Sequence, residues 1–206
     1  MTEIALPYFV SLPAAPPPWP GVVVLHEGNG ISSQLLRLCQ RLAAEGYAAI
    51  APDLFFRAGG TEAGDFATLI GSLDRAKTRA DIVTASDVLR REGAASVGVI
   101  GFCMGGLLAY RAAVAGDGFD AAVGFYGAGI STETGEPACP TLLMFGEKDE
   151  YIAPADIEVV RTRHPETVVY PDAGHGFMRD GSSSYDQAAA LDAWSRMLRF
   201  FAEQLL

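Results

Sequence analysis

The chain has 206 residues, half of them hydrophobic and 19% charged, which is the composition of a folded globular protein. Its net charge of −10 argues against nucleic acid as a partner, because phosphate binding needs a clustered basic surface. No apolar run reaches the roughly eighteen residues of a membrane-spanning helix, and the first ten residues lack the pattern of a secretory signal. We therefore expect one cytoplasmic domain over residues 1–206, with no membrane partner.

Short apolar runs alternate along the chain with longer segments of helical periodicity. A proline-rich turn at 13–20 is followed by a strand at 21–26, a helix at 33–45, a strand at 48–51, a long helical region at 66–92, a strand at 96–101, a helix at 105–115, strands at 121–125 and 141–145, a helix at 154–163, a strand at 167–170 and a helix at 186–205. Continuously apolar strands are typical of a sheet that is buried on both faces, and strand–helix alternation indicates parallel βα units. The sequence predicts a single α/β domain with a doubly wound, mostly parallel sheet.

The segment Gly101-Phe-Cys-Met-Gly-Gly106 lies between a predicted strand and a predicted helix. This is the context of a nucleophile elbow, in which flanking glycines allow a strained turn and a close approach of strand and helix. Cys103 would stand beside the N-terminus of the helix, whose N–H groups favour a thiolate and stabilise an oxyanion. The alternative is a small buried core residue. The other two cysteines, Cys39 and Cys139, are predicted to be packing residues.

A thiol nucleophile needs a base, and the base needs an orienting acid. His175 lies in a glycine-flanked loop after the last predicted strand, which fits the chain order nucleophile, acid, histidine. Asp149 follows the strand at 141–145 and is the candidate acid; its neighbours Glu147 and Glu150 remain alternatives. His164, at a polar helix end, is expected to be solvated.

The segment His26-Glu-Gly-Asn-Gly30 leaves the first central strand, where a second oxyanion donor is usually found. We expect the backbone N–H groups of Gly28 and Met104 to form the oxyanion hole. Glu27 is a carboxylate at a strand end close to the predicted thiol, and the alternative is a loop carboxylate without a catalytic role.

Six segments in this order resemble the dienelactone hydrolase family, the cysteine branch of the α/β-hydrolase fold, from a strand at 4–10 onward. They are His26-Glu-Gly-Asn-Gly30, Gly46-Tyr-Ala-Ala-Ile-Ala-Pro-Asp-Leu54, Gly101-Phe-Cys-Met-Gly-Gly106, Ala122-Val-Gly-Phe-Tyr-Gly127, Gly146-Glu-Lys-Asp149 and Ala173-Gly-His-Gly-Phe-Met-Arg179. The resemblance implies a sheet of about seven strands with helices on both faces.

It also implies a catalytic triad of Cys103, Asp149 and His175, with Glu27 holding the resting thiol neutral and taking its proton when substrate binds. The implied reaction is the hydrolysis of a small ester or lactone, of the carboxymethylenebutenolidase type, through an acyl-enzyme. Family members that open dienelactones clamp the substrate carboxylate with two arginines. Arg179 matches one of them, and Arg57 lies near the expected place of the other, although it belongs to the Pro-Asp-Leu-Phe-Phe-Arg run.

No cofactor or metal is expected, because the chain has no G-x-G-x-x-G pattern and its few cysteines are scattered. A monomer or a homodimer is expected. Two other functions are alternatives: a catalytically retired hydrolase domain that binds a ligand or partner, and a redox thiol protein. The second is disfavoured because no resolving cysteine lies near Cys103 in the sequence.

Overall fold

The computed structural model describes residues 5–206, and seven strands in this part of the chain form one sheet. The strands are Tyr8–Ser11 (β1), Trp19–Leu25 (β2), Ala48–Pro52 (β3), Ala94–Phe102 (β4), Ala121–Phe125 (β5), Thr141–Gly146 (β6) and Val168–Tyr170 (β7). Their order across the sheet is β1-β3-β2-β4-β5-β6-β7. β1 is antiparallel to β3 and the other pairs are parallel, as predicted.

Six α-helices accompany the sheet in the described residues. They are Ser33–Ala44 (α1), Phe66–Gly71 (α2), Arg75–Glu92 (α3), Met104–Ala115 (α4), Pro154–Arg163 (α5) and Gln187–Leu205 (α6). The side chains of β2 show the two-sided burial: Val22 and Val24 pack in one hydrophobic cluster with α1 and α6, while Val23 and Leu25 pack in a second cluster with α3 and α4. Helices therefore cover both faces, as the apolar strands predict.

The direction of winding reverses between β2 and β4, which are neighbours in the sheet although β3 separates them in sequence. In open α/β sheets, ligands bind in the crevice at the carboxyl ends of the strands at such a switch point. Cys103 directly follows β4, and His26 and Glu27 directly follow β2. The topology thus brings the predicted nucleophile Cys103 and the segment that carries Glu27 to the same crevice.

Two predicted elements are wrong in detail. The single helical region at 66–92 is two helices, because Asp74 begins a new one by accepting a hydrogen bond from the N–H of Lys77 through its side chain. The first strand, predicted at 4–10, begins at Tyr8, and residue 4 lies outside the described residues.

Three glycines around Cys103 are required by the close packing of backbone on backbone. A Cβ at Gly101 would overlap the carbonyl of Gly105, and one at Gly105 would meet the carbonyl oxygens of Leu25 and His26. A Cβ at Gly106 would meet the carbonyl oxygen of Phe125. The turn between β4 and α4 is therefore held against both β2 and β5.

We predict that Gly101→Ala lowers the free energy of unfolding by about 2 kcal/mol or more, because backbone rather than a flexible side chain must move to admit the methyl group. Gly71→Ala is the matched control, since nothing lies within 4 Å of its Cβ position. The control should change the free energy by less than about 1 kcal/mol. Urea unfolding of both variants checks this, and equal effects would contradict the packing account.

Candidate active site

Cys103 occupies a strained turn between the end of β4 and the start of α4. Its backbone has φ 54° and ψ −117°, in a region that non-glycine residues rarely adopt. The turn is fixed by hydrogen bonds: the N–H of Cys103 donates to the carbonyl of Phe125 at 3.0 Å, and its own carbonyl accepts from Gly106 at 3.0 Å. The side chain is partly exposed, so the thiol is accessible at the crevice.

His175 and Asp149 form a buried pair. The Nδ1 atom of His175 lies 2.8 Å from Oδ2 of Asp149, and both residues are buried. The other carboxylate oxygen, Oδ1, accepts hydrogen bonds from the N–H groups of Tyr151 and Ile152 at 2.8 and 3.1 Å. Among the three acidic residues predicted as candidates, Asp149 is the one that forms a hydrogen bond with His175.

Cys103 is a second neighbour that acts on the pKa of His175, so the thiol, the imidazole and the carboxylate lie together. Burial alone would lower the pKa of His175, but the interactions of its ring with Asp149 and Cys103 raise it to about 9. A protonated imidazole at neutral pH is an electrostatic partner for a thiolate and a proton donor for a leaving group.

Glu27 is buried next to this chain and has two side-chain partners. Its Oε2 accepts from Nε of Arg179 at 2.7 Å, and its Oε1 accepts from the hydroxyl of Tyr126 at 3.1 Å. The hydrogen bond with Glu27 raises the pKa of Arg179, and burial raises the pKa of Tyr126; Cys103 is a smaller cause of both shifts. A guanidinium and a phenol therefore hold the two oxygens of this buried carboxylate.

Sequence reasoning missed Tyr126. The residue is fully buried, has φ 38°, and presents its ring to the imidazole of His175 at 5.0 Å. Burial raises the pKa of Tyr126 well above its ordinary value, and the charge of Glu27 adds to this, so the phenol stays protonated and donates. The sequence feature that could have identified Tyr126 is its position in the segment Ala122-Val-Gly-Phe-Tyr-Gly127, directly after a buried strand.

His26 fixes the loop that carries Glu27 and Gly28. Its Nε2 accepts from the N–H of Leu54 at 3.0 Å, and its Nδ1 lies 2.7 Å from the carbonyl oxygen of Glu27, to which it donates. Burial lowers the pKa of His26, so the neutral ring makes both bonds. Gly28 is buried in this loop, and Met104 is the first residue of α4.

The model of the dienelactone hydrolase family matches residues 6–205. The chain belongs to the dienelactone hydrolase family. A protein of Salmonella typhimurium named "Putative carboxymethylenebutenolidase" is 33% identical over 210 residues, which cover 89% of this chain and 77% of that protein. Because it belongs to the dienelactone hydrolase family, this chain is an enzyme of the hydrolase class.

Solved structures of the dienelactone hydrolase family have the same fold. The crystal structure of a "Putative Dienelactone Hydrolase" from Klebsiella pneumoniae superposes with a TM-score of 0.88 at 31% identity, covering 98% of this chain and 94% of that one. A dienelactone hydrolase-like promiscuous phosphotriesterase from metagenomic libraries superposes with a TM-score of 0.73 at 28% identity, covering 92% and 88%.

In this member of the dienelactone hydrolase family, Arg57 and His164 both have side-chain partners that the sequence did not predict. Arg57, predicted as a substrate contact, forms an ion pair with Asp81 of α3, with Nη2 to Oδ1 at 2.8 Å. The solvated position predicted for His164 is wrong. Its Nε2 lies 3.0 Å from the hydroxyl of Tyr110, because the end of α5 packs over that buried ring.

The two remaining cysteines are packing residues, as predicted: Cys39 is fully buried in the core, and Cys139 is half-buried against it. Within residues 5–206, no group of three or more histidine, cysteine or acidic side chains has the arrangement of a metal site. No helix in the same residues has the length and apolar character needed to span a membrane.

We predict that His175 stabilises the folded state most at low pH. Its pKa is raised from 6.5 to about 9 on folding, so the stabilisation is complete below pH 6.5 and is lost as the pH rises through 9. The difference in the free energy of unfolding between the natural protein and His175→Gln should therefore shrink across this interval.

Urea unfolding between pH 5.5 and 9.5 measures that difference. His164→Gln is the control, because burial lowers the pKa of His164 and its contribution should not decline above pH 6.5. A pH-independent difference for His175→Gln would contradict the assigned contacts with Asp149 and Cys103.

Proposed function

We propose that this enzyme hydrolyses a small carboxylic ester or lactone through a covalent acyl-enzyme on Cys103. The observation that carries the proposal is the hydrogen bond between His175 and the buried Asp149, together with the influence of the elbow thiol on the pKa of that imidazole. The site has the nucleophile, base and orienting acid that acyl transfer needs, in the chain order of the α/β-hydrolase fold. The proposal is also supported by relatives that are named "Putative carboxymethylenebutenolidase".

In the first half of the reaction, the sulfur of Cys103 attacks the carbonyl carbon and a carbon–sulfur bond forms. The negative charge that develops on the carbonyl oxygen is stabilised by the N–H groups of Gly28 and Met104. His175 then gives a proton to the oxygen of the leaving alcohol, the carbon–oxygen bond breaks, and an acyl thioester remains on Cys103.

In the second half, a water molecule loses a proton to His175 and attacks the thioester carbonyl. The carbon–sulfur bond breaks, the acid product leaves, and the thiol system returns to its starting state. Asp149 holds the imidazole with Nε2 toward the reacting atoms and stabilises the imidazolium in both halves.

We assign to Glu27 the control of the resting thiol. The negative charge of a buried carboxylate disfavours a second negative charge nearby, so Glu27 keeps the sulfur neutral until substrate arrives. Arg179 and Tyr126 support this function because they hold the two oxygens of Glu27 from different loops. When the substrate enters, the thiol proton passes to Glu27 and the thiolate forms.

Arg179 is also the proposed contact for a substrate carboxylate. Its Nε is engaged with Glu27, whereas Nη1 and Nη2 donate to no residue in the described part of the chain. A local cation is needed for an anionic substrate, since a net charge of −10 does not attract it from a distance. A reducing compartment such as the cytoplasm would keep the Cys103 thiol free.

Cys103→Ala is expected to lower kcat/KM for p-nitrophenyl acetate by at least about a thousandfold, because the nucleophile is lost while the fold is kept. Release of p-nitrophenol, followed at 25 °C, measures the loss. Cys139→Ala is the matched control, since that thiol is half-buried and packs beside the core. The control should retain the activity of the natural protein.

Circular dichroism of both variants establishes that they are folded. Undiminished turnover by folded Cys103→Ala would contradict the proposed function. Absence of turnover by the natural protein across esters and lactones, without alkylation of Cys103 by iodoacetamide, would instead favour a retired domain that binds a ligand or partner.

A further inference from the structure

Two large aromatic side chains at the crevice are exposed although each touches a residue of the proposed site. Phe66 is 56% exposed and Tyr151 is 71% exposed. A large apolar ring left in water is informative when it stands beside reacting groups, because a ligand can bury it. The mechanism above uses neither ring.

Phe66 begins α2 and lies on Gly28. A Cβ at Gly28 would overlap Cδ2 and Cε2 of the Phe66 ring, so the ring rests directly on the glycine backbone. Gly28 is buried by this contact while more than half of Phe66 stays exposed. One side of the ring therefore covers the loop, and the remainder is open.

The same loop packs on the elbow that carries the nucleophile. The carbonyl oxygens of Leu25 and His26 lie against Gly105, two residues beyond Cys103. A carbonyl oxygen that accepts from Gly28 and Met104 therefore has Phe66 beside it. The carbonyl carbon also carries the leaving oxygen, which His175 protonates, so we infer that the part of the substrate beside Phe66 is the acyl group.

Tyr151 stands beside the proposed acid–base residue. Its ring meets the imidazole of His175 edge-on at a centroid distance of 4.8 Å. Its backbone N–H donates to Oδ1 of Asp149 at 2.8 Å, which fixes the residue next to the pair. Because His175 passes its proton to the leaving oxygen, the alcohol part of the substrate lies on this side.

We propose that Phe66 and Tyr151 determine specificity for flat apolar groups: Phe66 binds a planar acyl group, and Tyr151 binds a planar alcohol group. Two aromatic rings attract each other in stacked and edge-to-face arrangements beyond the effect of their buried area, and a saturated ring of the same size lacks this attraction. The favoured substrates are thus esters whose acyl or alcohol part carries an aromatic ring. This inference rests on the proposed function.

The two assignments can be separated with matched pairs of esters. For the acyl side, p-nitrophenyl benzoate is compared with p-nitrophenyl cyclohexanecarboxylate; for the alcohol side, benzyl acetate is compared with cyclohexylmethyl acetate. Each pair differs in planarity at nearly constant size. Release of p-nitrophenol and of acid gives kcat/KM for each ester, and the flat-to-puckered ratio cancels general effects on catalysis.

We expect Phe66→Ala to lower the benzoate-to-cyclohexanecarboxylate ratio by about tenfold and to leave the benzyl-to-cyclohexylmethyl ratio unchanged, and Tyr151→Ala to do the reverse. Tyr8→Ala is the control, because Tyr8 is an exposed aromatic residue on the edge strand β1 and should leave both ratios unchanged. Both substituted side chains of the site are largely exposed, so the variants should fold, and thermal unfolding verifies this.

The inference is overturned if folded Phe66→Ala and Tyr151→Ala leave both ratios unchanged, or if each variant lowers both ratios alike. It is also overturned if the natural protein cleaves p-nitrophenyl acetate but none of the four ring esters. If the natural protein cleaves no ester at all, the proposed function fails together with the inference that rests on it.

Discussion

The strained backbone at Cys103 is the constraint on which the rest of the site depends. A residue with φ 54° must be held by its surroundings, and here a strand on each side and the following helix hold it. The packing leaves no room for a side chain at Gly101, Gly105 or Gly106. What the protein gains is a thiol that projects at the carboxyl end of the sheet, beside the first N–H groups of α4.

A single carboxylate then ties three loops together around that thiol. Glu27 follows β2, Tyr126 follows β5 and Arg179 follows β7, and the two hydrogen bonds of Glu27 join them. A buried carboxylate is costly unless it is paired and hydrogen-bonded, and Glu27 has a partner of each kind. The arrangement accounts for a buried negative charge next to a residue whose reactive form is itself an anion.

The fold and the contact between Asp149 and His175 were predictable because they follow from the order of the elements along the chain. Strand ends of a parallel sheet meet at one edge, so Cys103, Asp149 and His175 could be assigned to one crevice from their positions after strands. Long-range pairing is not encoded in this way. The bond between Tyr126 and Glu27 joins residues 99 positions apart, and the pairing of Arg57 with Asp81 joins a loop to a helix.

The most direct test of the account is to identify the residue that becomes acylated. His175→Gln, mixed with p-nitrophenyl acetate and quenched in acid, should accumulate an acetyl group because deacylation needs the base that activates water. Mass spectrometry of the digested protein should find this group on the sulfur of Cys103. An acetyl group on another side chain during ester turnover, or turnover by the natural protein without any covalent intermediate, would contradict the account.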